Sequence, residues 1–252
     1  MPIIGKGLTL KHVQSNSSAI IINNIPKKIV FSGGGSGGIG GSSAYSDLYS
    51  PPGSGSSWQD RGTAGQDALI SGTVTRVNDS CGTGIVTSST AYISNSINPS
   101  SLTSFSVVVI GSFNPAAYWA TLWGNENWNA SSGYLAYFTS ATNLVFAQGG
   151  GQSIQGTVSN IGNTNMWSFV CNGGTNLSIY QNSTLIASGT LPSRPPNGPS
   201  NTYWGCRHGN AGTGQKDFCA GTYRRLMVYN SVLNQASITA NYNALKSPYG
   251  LP

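Results

Sequence analysis

A chain of 252 residues can form one large sandwich or two small domains and can bury a sizeable core. Only 7% of the residues are charged while 38% are hydrophobic, with six Trp and twelve Tyr, a composition that excludes disorder. The formal charge of +6 is uneven: residues 1–31 hold Lys6, Lys11, Lys27 and Lys28 with no Asp or Glu, a local +4, and the remainder holds eight basic and six acidic residues.

The start, Met1-Pro2-Ile3-Ile4-Gly5-Lys6, has no basic stretch followed by an apolar core, and no apolar run approaches about 18 residues. An unprocessed product without membrane insertion is expected. Residues 1–31 read as an extended basic arm, with apolar runs at Ile20–Ile22 and Ile29–Phe31. So short a segment holds no core of its own; it adds strands to the main domain or grips another chain. Four lysines without interleaved aromatics suit a protein surface better than nucleic acid. Residues 32–44, rich in Gly and Ser, read as a flexible linker.

From residue 45 to 252, short apolar runs alternate with turn residues at the spacing of a β-sandwich. Strands are expected at Ser71–Val77, Gly84–Thr87, Thr103–Gly111, Tyr118–Trp123, Tyr134–Thr139, Asn143–Ala147, Met166–Cys171, Asn176–Gln181, Thr184–Ser188, Thr202–Cys206 and Tyr223–Tyr229. Asn182-Ser183 serves as a two-residue hairpin turn, because Asn tolerates positive φ. One helix is expected: Asn234 caps it, Ile238, Tyr242 and Leu245 share a face, and Pro248 ends it. That stripe predicts a lid on the sandwich core.

These residues resemble a known family. Trp58-Gln59-Asp60 followed by Gly65, Ala68 and Leu69 is similar to the opening of many concanavalin A-like, laminin-G-like domains. Phe105-Ser106-Val107-Val108-Val109 resembles the family's first long core strand. Trp167-Ser168-Phe169-Val170 and then Leu177–Ile186 resemble its central hairpin, with Ser183 at the usual Gly. Ala220–Ile238 is similar to its closing strand and short helix, with Gln235 or Ser237 where an acid is usual. The resemblance spans about residues 45–246. It implies an all-β, two-sheet jelly-roll sandwich with an extended N-terminal arm and one short C-terminal helix, and by itself implies no ligand.

The superfamily's hydrolases place carboxylates on one strand, one to attack or activate and one to protonate the leaving group. Here the acids are Glu126, Asp47, Asp60, Asp67, Asp79 and Asp217, and no two share a strand face. With only His12 and His208 and no G-x-S-x-G elbow, a serine triad is equally unsupported. A non-enzymatic protein without cofactor is expected. Calcium would need several carboxylates, and Asp60 reads instead as a turn carboxylate accepting backbone N–H groups. Cys81, Cys171, Cys206 and Cys219 form no C-x-x-C pair, so no metal site is expected. Folding about the loop between Cys206 and Cys219 would set them opposite each other within disulfide reach, while a reducing cytoplasm would leave both as buried thiols.

The segment Tyr118–Asn129 concentrates aromatic and amide side chains, the groups that stack on sugar C–H faces and pair with sugar hydroxyls. Trp123, Asn125, Glu126 and Trp128 are candidate glycan contacts, with Arg207 and His208 as secondary ones; Trp119 and Trp123, sharing a strand face, could equally be core. Two functions are expected from these features. One is a structural subunit of a virion, most plausibly a bacteriophage capsid-decorating or tail protein, present in many copies. Its basic arm would anchor it to other virion proteins, and its sandwich would face cell-surface polysaccharide. The other is a free-standing extracellular lectin or adhesin, with a glycoside hydrolase as a remote third.

Overall fold

The computed structural model describes residues 44–252 apart from 117, 128, 150 and 209–213. The arm with Lys6, Lys11, Lys27 and Lys28, nearly all of the linker, and Trp128 lie outside the described residues. Sixteen strands occur in chain order: β1 (Ser46–Tyr49), β2 (Ser57–Trp58), β3 (Ala68–Ser71), β4 (Thr75–Asp79), β5 (Gly82–Thr87), β6 (Tyr92–Asn95), β7 (Phe105–Phe113), β8 (Ala120–Gly124), β9 (Tyr134–Ser140), β10 (Asn143–Gln148), β11 (Ser153–Thr157), β12 (Asn165–Asn172), β13 (Asn176–Gln181), β14 (Thr184–Thr190), β15 (Thr202–Trp204) and β16 (Gly221–Tyr229). Among the described residues one α-helix, α1 (Gln235–Tyr249), follows. The strands form two sheets: β14-β13-β12-β7-β16-β5-β4 with β1 also on β16, and β11-β10-β9-β8-β15-β6-β3-β2. All pairings between the named strands are antiparallel, which gives the all-β sandwich expected from the sequence.

The strand β7 shows why the sequence folds this way. Its run Phe105–Phe113 is apolar without alternation because both of its faces are covered. Phe105, Val107, Val109 and Phe113 point between the sheets, while Val108 and Ile110 point outward under α1. The inter-sheet layer also holds Trp58, Trp123, Trp167 and Trp204, all fully buried. Such an aromatic layer removes large apolar areas from water at roughly 25 cal/mol per Å2.

The hairpin turn sits where the sequence puts it, with Asn182 at φ 58° between β13 and β14. Its side chain does more than permit the turn: Oδ1 accepts the Met166 N–H at 3.0 Å and Nδ2 donates to Asn165 at 3.0 Å. The helix begins at the expected cap, Asn234 Oδ1 accepting the Ser237 N–H at 2.9 Å. It runs one residue past Pro248, because a missing N–H in a last turn costs a single bond and Gly250, at φ 58°, provides the left-handed cap. Its Ile238, Leu245 and Tyr249 cover the outer face of the first sheet, against Ile110, Met166 and Met227, rather than the layer between the sheets.

The strand expected at Ser71–Val77 is two strands in different sheets. Gly72 turns the chain at φ 79°, and a Cβ there would meet Thr90 O at 2.3 Å. Four strands were not legible in the sequence: β1, β2, β6 and β11 are five residues or fewer and lie near sheet edges or on partners far away in sequence.

Asp60 behaves as the turn carboxylate that its position predicts. Oδ1 accepts N–H groups from Asp47 and Gly62 at 2.7 and 2.8 Å, and Oδ2 accepts that of Gln66 at 2.9 Å. Asp67 in turn accepts the Asp60 N–H at 2.9 Å. Because three backbone donors lose their acceptor together, Asp60→Ala should lower the unfolding free energy by roughly 2–4 kcal/mol in a denaturant titration. An unchanged midpoint would contradict this role.

Candidate functional site

The outer face of the second sheet carries three of the six candidate residues, Glu126, Arg207 and His208. A bulge in β8 decides which aromatics reach it: Thr121 pairs with Tyr137 and Trp123 with Ala136, so Leu122 is the extra residue. The slip places both Leu122 and Trp123 in the inter-sheet layer. Trp119, just before the strand, lies on the opposite face. The sequence expectation that Trp119 and Trp123 share a face fails at this bulge, and Trp123 is core, edge-on to Phe105 and Phe169.

Trp119 has φ 73°, a strained backbone for so bulky a residue. Its ring stacks on Tyr137 with centroids 4.4 Å apart and planes at 21°. Tyr118 meets it edge-on at 5.3 Å and is 60% exposed, the most exposed aromatic among the described residues. The Arg207 guanidinium lies 6.0 Å from the Trp119 ring centre. Beneath Tyr137 an apolar patch of Leu135, Val145 and Ala147 supports the stack.

Arg207 sits between two carboxylates. Its Nε pairs with Asp217, and its Nη1 lies 3.6 Å from Glu126. Asp217 is held by the chain as well as by charge: its carbonyl accepts the Thr121 N–H at 2.8 Å, and its φ is 52°. Two non-glycine residues in the left-handed region thus flank one arginine. Glu126 is fully buried and neither of its oxygens accepts a hydrogen bond. Burial pushes its carboxyl from the ordinary 4.5 up to about 7, against the pull of Arg207. His208 packs on Tyr203 at 5.5 Å, Tyr203 meets Tyr92, and Tyr92 in turn meets Phe218.

Glu126, Arg207 and His208, candidates from separate stretches of sequence, are therefore brought to one face, while Trp123 and Asn125 are not available there. Asn125 is buried and holds loops together: Nδ2 donates to Asn98 at 2.6 Å and to Ser100 at 2.9 Å, and Oδ1 accepts the Tyr134 N–H at 3.3 Å. Sequence reasoning missed Tyr118, Tyr137 and Asp217. Scarcity was the usable signal for Asp217, one of five Asp and the only one in the loop that carries Arg207.

The expected opposition of Cys206 and Cys219 does not occur. The local ladder pairs Arg207 with Lys216, which offsets the two cysteines, and both are free, buried thiols whose pKa burial raises. An open groove of about 440 Å3 on the first sheet is lined by Val77, Asp79, Cys81, Thr222, Arg224 and Pro252, none of them a residue singled out in the sequence. There the Arg224–Asp79 ion pair closes at 2.8 Å.

Two antiparallel sheets in this order, closed by a short C-terminal helix, define a lectin-type sandwich. A laminin-G-type family profile of the concanavalin A-like lectin/glucanases superfamily matches residues 86–239. The chain belongs to that family. No curated protein matches the sequence. Among solved structures, the binding domain of botulinum neurotoxin DC in complex with SialylT is similar at 15% identity and a TM-score of 0.61, covering 80% of this chain and 51% of that one. The same domain in complex with rat synaptotagmin II gives 15%, 0.61, 80% and 52%. Botulinum neurotoxin type C, which depends on interaction with two ganglioside molecules to enter cells, gives 14%, 0.61, 82% and 52%. The chain thus spans about half the length of these neighbours, and at such identities they share its fold.

The buried Glu126 carries a pH signature. Its folded-state pKa, about 7, lies above the ordinary 4.5, so its contribution to stability is complete below 4.5 and is lost as pH rises through 7. Measured against Glu126→Gln, wild-type unfolding free energy should fall by on the order of 2–3 kcal/mol between those limits and then level off. A difference that does not vary with pH would exclude a buried, titrating carboxyl.

Proposed function

We propose that the chain is a non-enzymatic, glycan-binding module whose contact surface is the outer face of the second sheet around Tyr118, Arg207 and Asp217. The observation that carries this reading is Trp119. A strained, left-handed tryptophan locked on Tyr137 holds an exposed tyrosine edge-on and an Arg–Asp fork beside it. An aromatic face for sugar C–H groups and a polar fork for hydroxyls are thereby set in place before any ligand arrives. The lectin-type fold and the ganglioside and SialylT partners of its structural neighbours support the same class of ligand.

Binding without hydrolysis follows from the acids. The usual route of glycoside hydrolysis places two carboxyl groups on either side of the glycosidic bond. Here Glu126 is fully buried, and Arg207 stands between it and Asp217. The other acids are committed to structure: Asp47 to Arg225, Asp79 to Arg224, and Asp60 and Asp67 to backbone N–H groups. On a glycan array, Tyr118→Ala should reduce binding at least about ten-fold with unchanged thermal stability, the side chain being exposed, while Tyr118→Phe should retain most of it. Equal binding by Tyr118→Ala and wild type would sink the reading.

Attachment to a virion through residues 1–31 is a second reading, favoured by the four lysines that precede the Gly- and Ser-rich tract without a single acid. Deleting residues 1–31 should leave a folded sandwich by circular dichroism and abolish incorporation into particles. Undiminished incorporation would refute anchoring.

A further inference from the structure

We infer that Thr121 is the positioning residue for the aromatic half of the glycan surface: its hydroxyl, bonded to the Trp119 carbonyl, holds Tyr118 where a sugar meets it. This role rests on the glycan-binding reading above and adds to it the buried residue through which that surface is kept in shape.

The surface is drawn from two stretches remote in sequence, and each holds a non-glycine residue in the left-handed region, Trp119 at φ 73° and Asp217 at φ 52°. Such a backbone is costly for side chains of this kind and persists only where the surroundings over-determine it. Thr121 bonds both residues. Its Oγ1 donates to the Trp119 carbonyl at 3.1 Å, and its N–H donates to the Asp217 carbonyl at 2.8 Å.

The place of Thr121 in the sheet suits the task. It stands in β8 directly opposite Tyr137 of β9, the residue on which the Trp119 ring stacks. The chain at Trp119 therefore folds back over one cross-strand pair, with its ring on Tyr137 and its carbonyl on Thr121. Thr121 also forms a parallel bridge with Phe218, the neighbour of Asp217, which joins β8 to the segment that pairs with Arg207.

Thr121 is itself fully buried and touches no ligand. It acts through Trp119, against which the exposed Tyr118 stands edge-on at 5.3 Å. Valine has nearly the same shape and favours a strand interior as strongly, so what threonine adds at this buried position is a hydroxyl with a partner. A bond that restrains the backbone of Trp119 lowers the cost of ordering Tyr118 when a sugar binds.

The test titrates the full chain over immobilised sialylated and unsialylated oligosaccharides and reads the half-saturating concentration on those that wild type binds. Thr121→Val should weaken binding about five-fold, and Thr121→Ser, which restores the hydroxyl, should return it to within about two-fold of wild type. Because the effect runs through Tyr118, Thr121→Val added to Tyr118→Ala should cost no more than about two-fold beyond Tyr118→Ala alone. Should Thr121→Val fail to fold, Thr121→Ala takes its place in the same comparison. Binding by Thr121→Val equal to wild type, a serine variant as weak as the valine one, or losses that multiply to about fifty-fold in the double variant overturns the positioning role and leaves glycan binding standing. No binding by wild type to either kind of oligosaccharide overturns both.

Discussion

The aromatic layer between the two sheets sets the geometry on which everything else depends. Phe105 from β7 meets Trp123, Tyr134 and Phe146 at 5.1–6.5 Å, and Phe113 from the same strand meets Phe138, Trp167 and Tyr223 at 5.0–6.3 Å. Rings so large fix the spacing and the stagger of the sheets, and they leave each strand only one way to face. Because Trp123 must enter this layer, β8 accommodates an extra residue at Leu122, and the chain just before it is turned onto the opposite face. Trp119, at φ 73°, precedes the strand on that opposite face.

Scarce charge shapes the molecule in a second way. With six acids in the chain, each one is legible as a structural choice. Arg225 and Asp47 form a buried fork that ties β1 to β16, with Nε to Oδ1 at 2.8 Å. Arg224 pairs with Asp79 between β16 and β4 at 2.8 Å, with the Asp79 side chain exposed to solvent. A buried pair such as Arg225–Asp47 contributes more to uniqueness of register than to net stability, since desolvation offsets much of the attraction. Glu126 is the exception: it is buried without a hydrogen bond and depends on a single, shared cation.

The structural neighbours place this economy in context. The chain shares the sandwich of the neurotoxin binding domains at 14–15% identity, so what is retained is the arrangement of sheets rather than the side chains on them.

By itself the sequence determined the class of fold, most of the long strands, the Asn182 turn, the Asn234 cap and the turn role of Asp60. Each of these rests on local chemistry: hydrophobic period, tolerance of positive φ, or a side-chain oxygen within a few residues of the N–H groups it accepts. It also brought forward Glu126, from the concentration of aromatic and amide residues in Tyr118–Asn129, and Arg207 and His208 as loop residues after a strand. The tertiary structure alone decided the rest. Whether Trp119 or Trp123 faced water depended on one extra residue in β8, and a one-residue slip reverses every side chain after it. The split of Ser71–Val77 between two sheets, the offset of Cys206 from Cys219 and the meeting of Asp217 with Glu126 depend on pairings between residues remote in sequence, which no local preference encodes.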